Sequence, residues 1–167
     1  IGDLGEYLKT LKMLPNYENV KTLVIVRDAE TNPNGAVQSI QSALRSNAFS
    51  IPKKPFKFEG TKLRVAYMIF PGYDQNSSVS SLLEGTLEDL CLSTTEGDLV
   101  HECVNAYIDC LKLKGITLKH IHKTRLHSYL AGKNDFAGLK IGQAAKAGAW
   151  NWNHAAIKPF RDIIKAM

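Results

Sequence analysis

The sequence predicts an α/β fold: a short, mostly parallel sheet flanked by helices, with a helical C-terminal part. Three observations carry this expectation. Two β-branched apolar runs, KTLVIVR (21–27) and KLRVAYMIF (62–70), have the near-continuous hydrophobicity of strands covered on both faces. A stretch of helical periodicity lies between them, as a parallel crossover requires. After the second run, the apolar residues recur at helical spacing and no further strand pattern appears.

Length and composition set the frame. A chain of 167 residues is one domain, taken as 1–167, and long enough to bury a core. Hydrophobic residues at 44% and charged residues at 22% are ordinary for a globular protein, which argues against disorder. No apolar run approaches a membrane span, and no charged-then-apolar leader opens the sequence. Cys91, Cys103 and Cys110 are odd in number and form no CxxC. Placed on apolar helix faces, they read as reduced core thiols of a cytoplasmic protein. The net charge of +5 suits contact with a polyanion, but the basic residues are scattered, and only Lys53 and Lys54 are adjacent lysines.

The elements follow in order. Leu4, Tyr7, Leu8, Leu11 and Leu14 predict a helix over 2–14, stopped by Pro15 and Asn16. The first strand follows at 21–27. Asn32 then caps a helix with Pro33 at its first position and Val37, Ile40 and Leu44 as its buried stripe. Two prolines make 50–60 a loop or an edge strand. The second strand, 62–70, ends at Pro71 and Gly72. A polar, serine-rich segment spans 73–81. Leu83, Leu87, Leu90 and Cys91 mark the next helix. Asp98 caps another, with a stripe of Leu99, Val100, Cys103, Val104, Tyr107, Ile108 and Leu111. A shorter helix lies around 123–131, and 139–147 is rich in small residues. The last helix starts near His154, with Ile157, Phe160, Ile163, Ile164 and Met167 inward.

Chemistry concentrates where the first strand ends. In open α/β sheets, ligands sit beyond the carboxyl ends of the strands. Asp28 and Glu30 stand there, one residue apart, and in an extended segment they point to one side. Two such carboxylates repel unless something neutralises them, and a hard cation such as Mg2+ does so through oxygen ligands. They also read as solvated loop acids. A second acidic group, Glu84, Glu88 and Asp89, lies in LLEGTLEDLCL, where Glu84 and Glu88 share a helix face. That face is a solvent face unless it borders Asp28.

Other constellations are weak. His101, His120, His122, His127 and His154 form no HExxH pattern, and structural or surface roles suit them better than zinc. No nucleophile elbow, Walker A loop or dinucleotide fingerprint occurs. Trp150 and Trp152 fit a core edge better than a base-stacking platform.

The strand ending in D-x-E, the helix after it and the second strand together resemble the Toprim superfamily. More narrowly, the chain resembles a bacterial Toprim-like family classed as a domain of unknown function, akin to the overcoming-lysogenization-defect nucleases. The matching pieces are LVIVRDAE (23–30), SALRSNAF (42–49), RVAYMIFPG (64–72), GTLEDLCL (85–92), KTRLHSYLAG (123–132) and KIGQAAKAGAWNW (140–152). The resemblance implies an acidic pair, Asp28 and Glu30, holding Mg2+, with Glu88 and Asp89 assisting. It also implies phosphotransfer or nuclease chemistry on nucleic acid; beside the resemblance, Lys53, Lys54, Lys123 and Arg125 are the basic residues expected to track a nucleic-acid backbone. The family's catalytic glutamate, which follows an earlier strand, has no counterpart. That strand either precedes Ile1 or is lacking. Two functions therefore stand open: a Mg2+-dependent enzyme, and a catalytically incomplete module that binds nucleic acid, a nucleotide or a protein partner.

Overall fold

A computed structural model describes residues 3–74 and 81–167. The fold is mixed α/β, as expected. Strand β1 (Thr22–Asp28) runs parallel to β2 (Arg64–Phe70), in register from Thr22 opposite Arg64 to Asp28 opposite Phe70. Both carboxyl ends therefore lie at one edge of the sheet. Helix α2 (Pro33–Ser46) makes the crossover. The Asn32 side chain accepts from Gly35 N at 2.8 Å, so one orphan amide of the first turn is satisfied as its sequence promised. Ile40 and Leu44 are fully buried, against Leu8 of helix α1 (Leu4–Leu11) and Ile25, Val65, Tyr67 and Ile69 of the sheet.

The alternate residues of β2, Ala66 and Met68, face a second cluster. It contains Phe56, Leu90, Ile157, Phe160 and Ile163. Strand β2 is thus covered on both faces, and residues 65–69 are all buried. The expectation fails for β1, where Val26 is 47% exposed and Arg27 is exposed. On its faces, the second cluster takes in Val24 but not Val26, and Arg27 donates from Nη1 to Ser39 Oγ of α2 at 2.7 Å; β1 is also the edge of the two-stranded sheet. Lys21 O and Ala29 N bond to β2, so the strand's even residues turn their backbone groups to the open side.

The remaining helices are α3 (Leu87–Ser93), α4 (Val100–Leu113), α5 (Ile121–Ala131), α6 (Ile141–Lys146) and α7 (Lys158–Lys165). A 3-10 turn, Ala155–Ile157, leads into α7. Cys91, Val104, Ile108, Leu126, Tyr129, Leu130 and Trp150 form a third cluster. Helix α3 joins it to the second: Leu90 enters one and Cys91 the other. Among the described residues, no helix is long and apolar enough to cross a membrane.

Several sequence expectations need correction. Tyr7 and Leu14 are exposed, because α1 stops at Leu11 and presses only Leu4, Leu8 and Leu11 inward. Leu83 and Glu84 precede α3, so Glu84 shares no helix face with Glu88. Leu99, Cys103, Tyr107 and Cys110 are exposed: α4 buries its face through Val104 and Ile108, and the apolar residues on its other side stay outside. Only Cys91 is a core thiol, and burial pushes it up to about 12, helped by the Glu88 charge. Ile164 and Met167 are exposed as well. His120 and His122 lie at the start of α5, not in an extended segment. Trp150 is buried and Trp152 half-exposed. Residues 75–80 of the serine-rich segment lie outside the described residues.

These contacts predict a contrast in stability. Leu44→Ala leaves a cavity in the first cluster and costs about 2–5 kcal/mol in urea unfolding. Ile164→Ala, at a residue 61% exposed, stays within about 0.5 kcal/mol of the parent.

Candidate acidic site at the strand end

The site is built by a join between the end of β1 and the start of α3. Glu30 N donates to Gly85 O at 2.8 Å, and Gly85 N donates to Glu30 O at 2.7 Å. A third bond runs beside this pair: the Leu87 amide donates to Asp28 Oδ1 at 3.0 Å. Leu87 opens α3, so Asp28 satisfies one of the amides that a helix start leaves unpaired. Two elements 59 residues apart in sequence are thereby fixed against each other.

The backbone at this join is unusual at two points. Glu30 sits at φ +53°, in the left-handed region, so the chain turns after Ala29 and does not continue extended. The i, i+2 alignment expected of Asp28 and Glu30 is therefore lost, and Glu30 is exposed while Asp28 is half-buried. Gly85 sits at φ +128°, and a Cβ there would fall 2.6 Å from Asp89 Oδ2. Glycine is needed on both counts.

Asp89 is heavily engaged. Its Oδ2 accepts from Thr86 N at 2.7 Å and from Thr86 Oγ1 at 2.9 Å, closing a capping box at the start of α3. His122 Nδ1 of α5 lies 2.9 Å from Asp89 Oδ1 and 2.7 Å from Oδ2. Glu88 differs: it is half-buried and makes no hydrogen bond or ion pair with any described residue.

The charges converge on Asp28. Burial raises its carboxyl above the ordinary value of 3.8, against the Leu87 amide, which lowers it. The Glu88, Glu30 and Asp89 charges raise it further, in that order. Two acidic stretches that the sequence left apart thus act on one carboxylate. Even so, among the described residues no three His, Cys, Asp or Glu side chains group closely enough to hold a metal ion by themselves. Magnesium asks for less, since one or two carboxylates plus water and substrate phosphate satisfy it. Asp28 and Glu88, the latter unpaired among the described residues, are the carboxylates that such an ion would use.

The basic residues do not converge in the same way. Lys53 and Lys54 are exposed in the connection between α2 and β2, and Lys123 is exposed on α5. Arg125 is half-buried, and its Nε is closed off without an acceptor. No ion pair joins any of them to the acids among the described residues. Sequence reasoning missed His122 as a partner of Asp89, because 33 residues separate them. It also missed the T-x-x-D signature of Thr86 and Asp89, which was legible as a capping box.

A sequence profile of the family described as "Protein of unknown function (DUF3226)" matches residues 2–167, and the chain belongs to that family. No curated protein and no solved structure matches it.

Two outcomes follow from the geometry. A raised folded value means that charged Asp28 costs stability: the cost is fully present above that raised value, fades as pH falls through it, and is gone below the unfolded value near 3.8. Asp28→Asn therefore melts higher than the parent at pH 7, and the gap closes as the pH approaches 3.8 in a series of thermal scans. Gly85→Ala is expected to lose at least about 1 kcal/mol in denaturant unfolding, because it forces a strained φ and displaces Asp89.

Proposed function

We propose that this member of the DUF3226 family carries a Toprim-like acidic site that binds Mg2+ and acts on a phosphodiester of nucleic acid. The observation that carries the reading is Asp28 itself. It is a half-buried carboxylate at the sheet's ligand edge, already raised by burial and by three neighbouring acids. A divalent cation is the natural relief for such crowding. Asp28 and Glu88 are the residues to hold it, with Glu30 at the rim. Asp89 supports the site through Thr86 and His122, its carboxylate being occupied.

When bound, the ion would neutralise charge on the phosphate and favour attack by water. The chain's part is to hold the carboxylates in place through the Glu30–Gly85 and Asp28–Leu87 bonds. The open edge of β1 also has a place here: a further strand paired along it would end beside Asp28, where a third acidic group would complete the set. The three free thiols suit a reducing, cytoplasmic setting.

A second reading, a non-catalytic binding module on the same fold, is favoured by the lack of a third ligand grouped with the acids among the described residues. Calorimetric titration of Mg2+ or Mn2+ tests the first reading. Binding in the parent and its loss in Asp28→Ala are expected. No binding, or binding indifferent to that substitution, removes the metal site. A nuclease assay beside Asp28→Ala/Glu30→Ala separates the two readings, since cleavage lost in the variant excludes the module.

A further inference from the structure

A cleft of about 410 Å³ opens on the far side of Asp89, between α3, the turn after it, α4 and α5. Its walls include Asp89, Leu92, Glu96, Val104, Asn105 and Arg125. The arginine is the feature without an explanation. It forms no ion pair or hydrogen bond with any described residue, and its Nε is shut away from solvent with no acceptor. A ligand in the cleft does not reach the closed-off Nε; the terminal nitrogens of the guanidinium, which are not closed off, are the donors that a phosphate or carboxylate would meet.

A neighbouring cleft makes the contrast. It is lined by Lys133, Asp98 and Tyr129, and there the cation is already answered. Lys133 Nζ lies 2.6 Å from Asp98 Oδ2, which also accepts from Tyr129 OH at 3.0 Å. The Lys133 ammonium holds Asp98 down to about 2. Among the described residues, no ion pair or hydrogen bond does the same for Arg125.

We infer that the Arg125 cleft is a nucleotide subsite, in which Arg125 holds a terminal phosphate monoester. The volume suits one small ligand. Leu92 and Val104 give an apolar floor for a base or sugar, and Glu96 at the rim accepts from donor groups such as ribose hydroxyls or an exocyclic amine. Asp89 keeps its charge, but both of its oxygens are engaged by Thr86 and His122, which leaves Arg125 as the group that meets the anion. Asp89 also joins the cleft to the acidic site, being in the wall of one and among the charges that raise Asp28 in the other. The choice of a nucleotide rests on the function proposed above, whereas the cleft and its unanswered arginine do not.

Calorimetry in EDTA keeps the two readings separate, because no divalent ion takes part. The full chain is titrated with adenosine 5′-monophosphate, with a 5′-phosphorylated dinucleotide and with adenosine. Binding that needs the phosphate is expected, and Arg125→Gln weakens it about tenfold or more. Asn105→Trp, at an exposed position on the wall, blocks it by filling the cleft. Tighter binding of the dinucleotide identifies a strand end as the ligand, and tighter binding of the monophosphate identifies a free nucleotide. Either outcome upholds the subsite. It is overturned if neither phosphorylated ligand binds, if adenosine binds equally well, or if a folded Arg125→Gln keeps the parent's affinity. Should Arg125→Gln fail to fold, Asn105→Trp decides alone, and unchanged affinity there overturns the subsite.

Discussion

The join between the end of β1 and the start of α3 is the constraint on which the site depends. Three hydrogen bonds hold it: the reciprocal pair between Glu30 and Gly85, and the Leu87 amide on Asp28. The same bonds that order this corner also concentrate its charge. Asp28 loses solvent, gains an amide donor and comes under the influence of Glu88, Glu30 and Asp89. A structure assembled for stability alone would gain from an apolar side chain here or from a nearby lysine. Crowded acids at the end of a strand are what the cation site proposed above would relieve.

The rest of the fold supports this corner from two sides. Strand β2 is buried on both faces, so the end of β1 is aligned by a rigid neighbour. Helix α3 is short, but it is anchored by Leu90 in the cluster under the sheet and by Cys91 in the C-terminal helical cluster. The Asp89–His122 contact ties α3 to α5 as well. One seven-residue element thus connects the Asp28 corner to the C-terminal helices. The Arg125 cleft lies on that same route, with one wall on α3 and another on α5.

Much of the frame was legible in the sequence, and the reasons are local. Continuous apolar runs announce strands, and Asn32-Pro33 announces a helix start, because each signal depends on neighbours in the chain. The burial of α4 was not legible in the same way. Leu99, Cys103, Tyr107 and Cys110 match helical spacing as well as Val104 and Ile108 do, and only tertiary packing chooses between the two faces. The turn at Glu30 was hidden because Ala-Glu-Thr carries no glycine to advertise a positive φ. Gly85, Thr86 and Asp89 carry the signal that starts α3 after Glu84, but the helical spacing of Leu83 with Leu87 outweighs it in the sequence and wrongly places Glu84 on the helix. The approach of Glu88 to Asp28, and of His122 to Asp89, joins residues far apart in sequence, and no periodicity encodes such contacts.

The central claim is that Asp28 is an electrostatically strained carboxylate awaiting a cation. Its side-chain carboxyl 13C shift, followed by NMR through a pH titration with and without Mg2+, tests this most directly. The account predicts a midpoint above the ordinary 3.8 in the absence of the ion and a clear downward movement when Mg2+ is added. A midpoint at or below 3.8, unmoved by Mg2+, would contradict it.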